Sequence, residues 1–154
     1  MKRKVWITLA LVVCMSLIAF VIAGQPPQLL KGYKAKLVTG HVEYFQNYSL
    51  VRDIVSGRSD VHAVQLFTGK VTGISMASLT ADLENRYRPG DGWRWVVTPS
   101  DGGADGPNGD VTLSPRADGA VGVTEAIVLS WPQVMWLRLT HLGSSPFQQA
   151  PDWP

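Results

Sequence analysis

Cysteine is nearly missing from this chain: Cys14 is the only one, and it falls inside an apolar run. Neither disulfides nor a thiolate metal site can therefore support the residues that follow. A surplus of charge of one sign is missing too. Three of the basic residues, Lys2, Arg3 and Lys4, crowd the N-terminus, and from Gln25 onward eleven Lys/Arg face twelve Asp/Glu. A near-neutral domain with interspersed charges offers no electrostatic footprint for nucleic acid, which removes that class of partner. No internal repeat, no heptad and neither the H-E-x-x-H nor the H-x-x-x-H pattern occurs, so solenoids, coiled coils and the helical zinc motifs are excluded.

What the chain does have is a long hydrophobic stretch, Val5 to Gly24, with no charge in it. At about 1.5 Å per helical residue it reaches roughly 30 Å, the thickness of a bilayer's hydrocarbon core. The cationic cluster before it belongs on the cytoplasmic side, and Trp6 suits the headgroup boundary. A signal peptide usually has an apolar core of about 7 to 15 residues, so the length favours a retained signal-anchor. Val21-Ile22-Ala23 followed by Pro26-Pro27 keeps cleavage after Ala23 open as the alternative. Cys14 follows Leu11-Val12-Val13 rather than a small residue, and reads as a membrane residue rather than a lipidation site. Residues 1–24 are thus expected in the inner (cytoplasmic) membrane with the N-terminus inside. A juxtamembrane linker (25–40), an extracytoplasmic domain (41–142) and a flexible tail (143–154) follow, in the periplasm or outside the cell.

The periodicities beyond the span predict an α+β domain, one or two helices packed on a mainly antiparallel sheet. Tyr44, Tyr48, Val51 and Val55 recur at four, three and four residues, which predicts a helix from His41 to Val55 stopped by Gly57. Val61 to Thr68 alternates as a strand, with Thr68-Gly69-Lys70 turning it into a second strand, Val71 to Ile74. Ser75 is placed to cap a helix from Met76 to Tyr87, whose stripe is Met76, Leu79, Leu83 and Tyr87. Trp93 to Thr98 reads as a strand, Pro99 to Asn108 as a surface loop and Val111 to Leu113 as a short strand. Val121 to Trp131 alternates, and Pro132-Gln133 would turn it into Val134 to Leu142. That makes a central hairpin which buries Leu129 and Leu137. The tail from Gly143 is read as frayed.

Candidate chemistry is thin. Gly73-Ile74-Ser75-Met76-Ala77 resembles the nucleophile elbow of the α/β-hydrolases over five residues, but it departs from G-x-S-x-G at Ala77. A hydroxyl at a helix start already serves as a cap. His41, His62 and His141 could join Glu43 and Asp60 in an acid-base or metal site, although their spacing matches no ligand motif. Asp101, Asp105, Asn108 and Asp110 form an oxygen-rich, Gly-rich loop that misses the EF-hand spacing and reads as solvated turns rather than a calcium site. Trp93, Trp95, Trp131 and Trp136 read as core, and Trp153, in the polar tail, as an exposed contact. Asn47-Tyr48-Ser49 fits the glycosylation sequon but falls within the predicted helix.

The layout of an N-terminal apolar helix and a small helix-plus-sheet domain is similar to that of type IV pilins, pseudopilins and accessory proteins of pilus or secretion machines. A prepilin has glycine before the run and glutamate at its fifth position, where this chain has Lys4 and Leu9. The resemblance therefore implies an assembly component that keeps its anchor. The sequence-based expectation is a non-enzymatic envelope protein without catalytic, metal or cofactor residues. It would meet membrane lipid through residues 5–24 and other envelope proteins through contacts such as Trp153, Asp101 and Asp105. The rivals are an exported hydrolase using Ser75 or a pair such as His62 and Asp60, and a glycan- or calcium-binding module.

Overall fold

The computed structural model describes residues 2–25, 30, 37–49, 61–97 and 101–150. The chain divides into two compact units, one of Met1–Pro26 with Leu129–Pro146, the other of Pro27–Val128 with Phe147–Pro154.

The larger unit is built on a seven-stranded sheet. In chain order its strands are β1 (Val38–Ser49), β2 (Val61–Val71), β3 (Arg94–Val97), β4 (Gly102–Gly106), β5 (Gly109–Pro115), β6 (Val121–Val128) and β7 (Phe147–Gln149), and across the sheet they run β3-β4-β5-β6-β2-β1-β7. Every neighbouring pair is antiparallel except β1 and β7, which are parallel. Helix α2 (Met76–Arg86) joins the sheet's main core, burying Leu79 and Leu83 with Val111, Leu113, Val121 and Val123. This is the expected α+β architecture, with the Met76 helix and its Ser75 cap where the stripe placed them: Ser75 Oγ accepts from the Ser78 N–H at 3.2 Å.

Five expectations are corrected. The segment from His41 is not a helix but β1, paired with β2 from Val38↔Val71 to Ser49↔Val61; positions 50–55 lie outside the described residues. A bulge between Phe45 and Tyr48, with Asn47 at φ 58°, inserts an extra residue, so Phe45 and Tyr48 meet on one face with ring centroids 5.9 Å apart. The four-residue step from Tyr44 to Tyr48, which opened the expected helical stripe, spans this bulge. The Thr68-Gly69-Lys70 turn does not form either. β2 runs straight through it because Gly69 lies opposite Gly40, where a Cβ on either would come within 2.7 Å of the other's Cα.

The Pro99–Asn108 loop is, from Gly102, the strand β4. Its glycines leave room for large neighbours: the Trp93 ring occupies the place of a Gly106 side chain, and Met76 Cε would lie 3.0 Å from a Gly102 Cβ. Glycine in a strand often marks such a close approach rather than a loop. Finally, Val134–Leu142 is not the second strand of a hairpin. β6 ends at Val128, and Trp131–Thr140 is a helix, α3, in the smaller unit. Leu129 and Leu137 are buried all the same. The tail is not wholly frayed, since β7 lies in it with Phe147 buried.

The smaller unit consists of α1 (Lys2–Gly24) and α3. From Val5 to Gly24 every residue of α1 is exposed except Phe20, half-buried, and Gly24, buried. At Gly24 the absence of a side chain matters, because a Cβ there would lie 2.7 Å from Trp136 Cβ and 3.1 Å from the Pro132 carbonyl oxygen. The Gln133 side-chain amide donates to the Gln25 carbonyl at 3.2 Å. The last turn of α1 thus rests on Pro132, Gln133 and Trp136.

Candidate functional site

The most unusual group in the sheet domain is a carboxylate that the alternation of β6 places among apolar side chains. Glu125 stands between Val111 of β5 and Phe67 of β2 in the strand register, on the face that carries the main core, and is fully buried. The last turn of α2 brings Arg86 to it, Nη1 to Oε1 at 3.6 Å, and the same guanidinium lies 5.0 Å from the centre of the Tyr87 ring. Burial pushes the Glu125 carboxyl up to about 7, while the Arg86 charge and the backbone of Leu30 pull it down. Desolvation wins because one partly exposed cation at that distance does not replace the hydration of a carboxylate. Leu30, itself buried and at φ 47°, belongs to the same core. With no exposed surface, Glu125 can bind and release a proton but cannot meet a substrate. The sequence reading passed over it, although an acid in phase with Val121, Val123 and Ile127 was the available signal.

The residues singled out from the sequence are dispersed. Ser75 is the α2 cap. His41 and Glu43 share a face of β1 with Nε2 and Oε2 3.4 Å apart, whereas His62 pairs with Tyr48 at the other end of the β1–β2 ladder. His141 follows α3, its Nδ1 2.9 Å from the Leu137 carbonyl oxygen. Asp60 and Trp153 lie outside the described residues.

Asp105 sits on β4, where Arg94 of β3 grips it through Nε at 3.3 Å and Nη2 at 2.7 Å. Asp101 is exposed just before that strand, and Asn108 occupies the turn to β5. Asp110 faces Asp105 across the ladder. The oxygen-rich segment is thus mainly a hairpin with one acid committed to an arginine. Among the described residues no three of His, Cys, Asp and Glu come together in a way that could hold a metal ion. Trp93 is buried and Trp95 half-buried, its indole donating to the Tyr87 carbonyl at 2.9 Å, but Trp131 is exposed, against the expectation that it was core.

No family model, curated protein or solved structure matches the chain. Among the described residues one helix, Val5–Gly24, is long and apolar enough to cross a membrane.

Proposed function

We propose that this protein is a membrane-anchored, non-enzymatic extracytoplasmic domain that serves as a structural or assembly component of a cell-envelope complex of the secretion or pilus kind. The observation that carries the reading is α1: twenty uncharged residues, all but two of them exposed, form a surface suited to lipid rather than to water. Lys2, Arg3 and Lys4 hold its start in the cytoplasm, which leaves the sheet domain outside. Ser75, whose setting resembles a nucleophile elbow, caps α2, Asp105 of the oxygen-rich segment is gripped by Arg94, and Glu125 is sealed in the core.

Two measurements test the halves separately. Alkaline carbonate should leave the full chain in the membrane pellet, and release into the supernatant would overturn the anchor. Solubilised gently from its native membrane, the protein should run on a native gel as a particle larger than one 16.8 kDa chain in its micelle. Migration as a lone chain would overturn the assembly role.

A further inference from the structure

The end of α1 is not left bare: Gly24 is buried against Pro132 and Trp136 of α3, and Gln133 bonds to the Gln25 carbonyl. These three α3 residues occupy one side of that helix. Leu137, one turn beyond Gln133, is buried as well. What remains is a stripe of Trp131, Met135 and Leu139 at four-residue steps, continued by Leu142 just past the helix end. Trp131 is 69% exposed, Leu139 49% and Leu142 85%, with Met135 half-buried. Residues four apart stack on one helix face, so this is a continuous apolar strip, flanked by the exposed Arg138.

Single exposed apolar residues are ordinary on a soluble surface; a contiguous strip is not. Its position suggests what covers it. If Val5 lies at one edge of the hydrocarbon, Gly24 lies at the other, roughly 30 Å away, where the headgroup region begins. A helix resting on Gly24 is thereby held at headgroup depth. That is the level at which a tryptophan can bury its ring and keep its N–H wet, and at which an arginine can lay its stem along apolar surface with its head in water.

We propose that α3 is an interfacial helix, whose strip of Trp131, Met135, Leu139 and Leu142 enters the headgroup–acyl boundary of the leaflet through which α1 leaves the membrane. The occupant is lipid, chosen because the helix that carries the strip rests on the last residue of the span. The inference rests on the anchored reading above. With a single arginine at the strip, attraction comes from apolar area rather than from charge, so anionic lipid is not required.

The test uses the full chain in vesicles of phosphatidylcholine with a minority of phosphatidylglycerol. With Cys14→Ser removing the native thiol, nitroxide labels are attached in turn through Trp131→Cys and Leu139→Cys in the strip, Leu11→Cys in the span and Thr112→Cys at an exposed position of β5. Spin-label power saturation then compares access to oxygen, which partitions into lipid, with access to an aqueous nickel chelate. The expected result is an oxygen-to-nickel ratio at 131 and 139 several-fold above that at 112 and below that at 11, with unchanged thermal unfolding of each labelled chain. The two strip positions report independently, so a label that disturbs folding at one leaves the other.

Labels at 131 and 139 as wet as that at 112, with 11 deep, would overturn the interfacial helix and leave the anchor standing. Labels shielded from both reagents, with 11 deep, would overturn it in favour of a protein partner or a second copy on the strip. A wet label at 11 would overturn the anchor, and the interfacial helix with it.

Discussion

Helices α2 and α3 obey the same local grammar and come to opposite ends. They are eleven and ten residues long, each has a serine at its N-cap, Ser75 and Ser130, and each has an arginine in its last turn. Each is closed by a backbone N–H returning to a leucine carbonyl, Tyr87 to Leu83 and His141 to Leu137. Yet α2 buries Leu79, Thr80 and Leu83 in its unit, whereas α3 buries Leu137 alone and leaves a tryptophan and a leucine exposed. Capping decides that a helix forms and where it stops; what the apolar stripe meets decides how much the helix contributes to stability. A stripe that the protein does not cover is then a clue to what lies outside it.

The comparison breaks most readily at the leucines of α2. Leu79→Ala or Leu83→Ala should cost about 2–5 kcal/mol, the transfer energy plus the cavity left behind, read as the urea midpoint of the full chain in detergent. If either proved as mild as an exposed substitution, the burial that separates the two helices would be illusory.

The next effect comes from the carboxylate at the end of α2. Because the folded-state pKa of Glu125 is raised from 4.5 to about 7, the folded protein binds the proton more tightly than the unfolded chain. Stability should therefore be full below pH 4.5, fall by up to about 3 kcal/mol as pH rises to 7, and then level off. Glu125→Gln should flatten that slope. Asp118, held below its ordinary value by Lys70 and the Ala120 N–H, acts the other way and in a lower window, losing its contribution as pH falls through its folded pKa. Urea midpoints at pH 5 and pH 8 isolate the glutamate, and a slope that survives Glu125→Gln would assign it elsewhere.

Smaller still, Ser75→Ala should cost about 1 kcal/mol while Ser75→Asp retains the cap. Ser130, whose N–H and hydroxyl both donate to Gln133 Oε1 at 2.8 and 2.9 Å, should respond to Ser130→Ala by a similar amount. Unequal responses in thermal unfolding would sharpen the contrast by showing that capping, too, depends on what the helix packs against. The smallest change is Leu139→Ala, within about 0.5 kcal/mol of the parent in detergent, since the side chain lies at the surface of the folded chain.

The sequence made α2 legible because cap and stripe agreed. It misrepresented α3 because the alternation of Val121 to Leu129 invited continuation. The contrary signals were brief: Ser130 three residues before Gln133, a capping-box spacing, and Pro132 in the first turn. At β1 the four-residue step from Tyr44 to Tyr48 counterfeited a helical period, although it spans a strand bulge. β4 was hidden in GGADG because the bulk that fills its face belongs to Trp93 and Met76, which are close only after folding. Glu125 was hidden by its neighbours, an acid in a run of valines whose burial depends on α2 closing over the sheet. Local chemistry names the caps, but who fills whose empty space is a property of the fold.

The short strand β7 has a consequence out of proportion to its three residues. It runs beside β1 at Tyr44, Phe45 and Gln46, stacks Phe147 edge-on to Tyr44, and is tied down by the Gln148 amide to Glu43 and the Ala150 N–H to the Gln46 carbonyl. Those pairings occupy backbone groups of β1 that would otherwise stand ready for a strand from another molecule. Seen this way the tail is a guard against self-association. A chain ended before Phe147 would keep most of its core and offer an open template to its own copies.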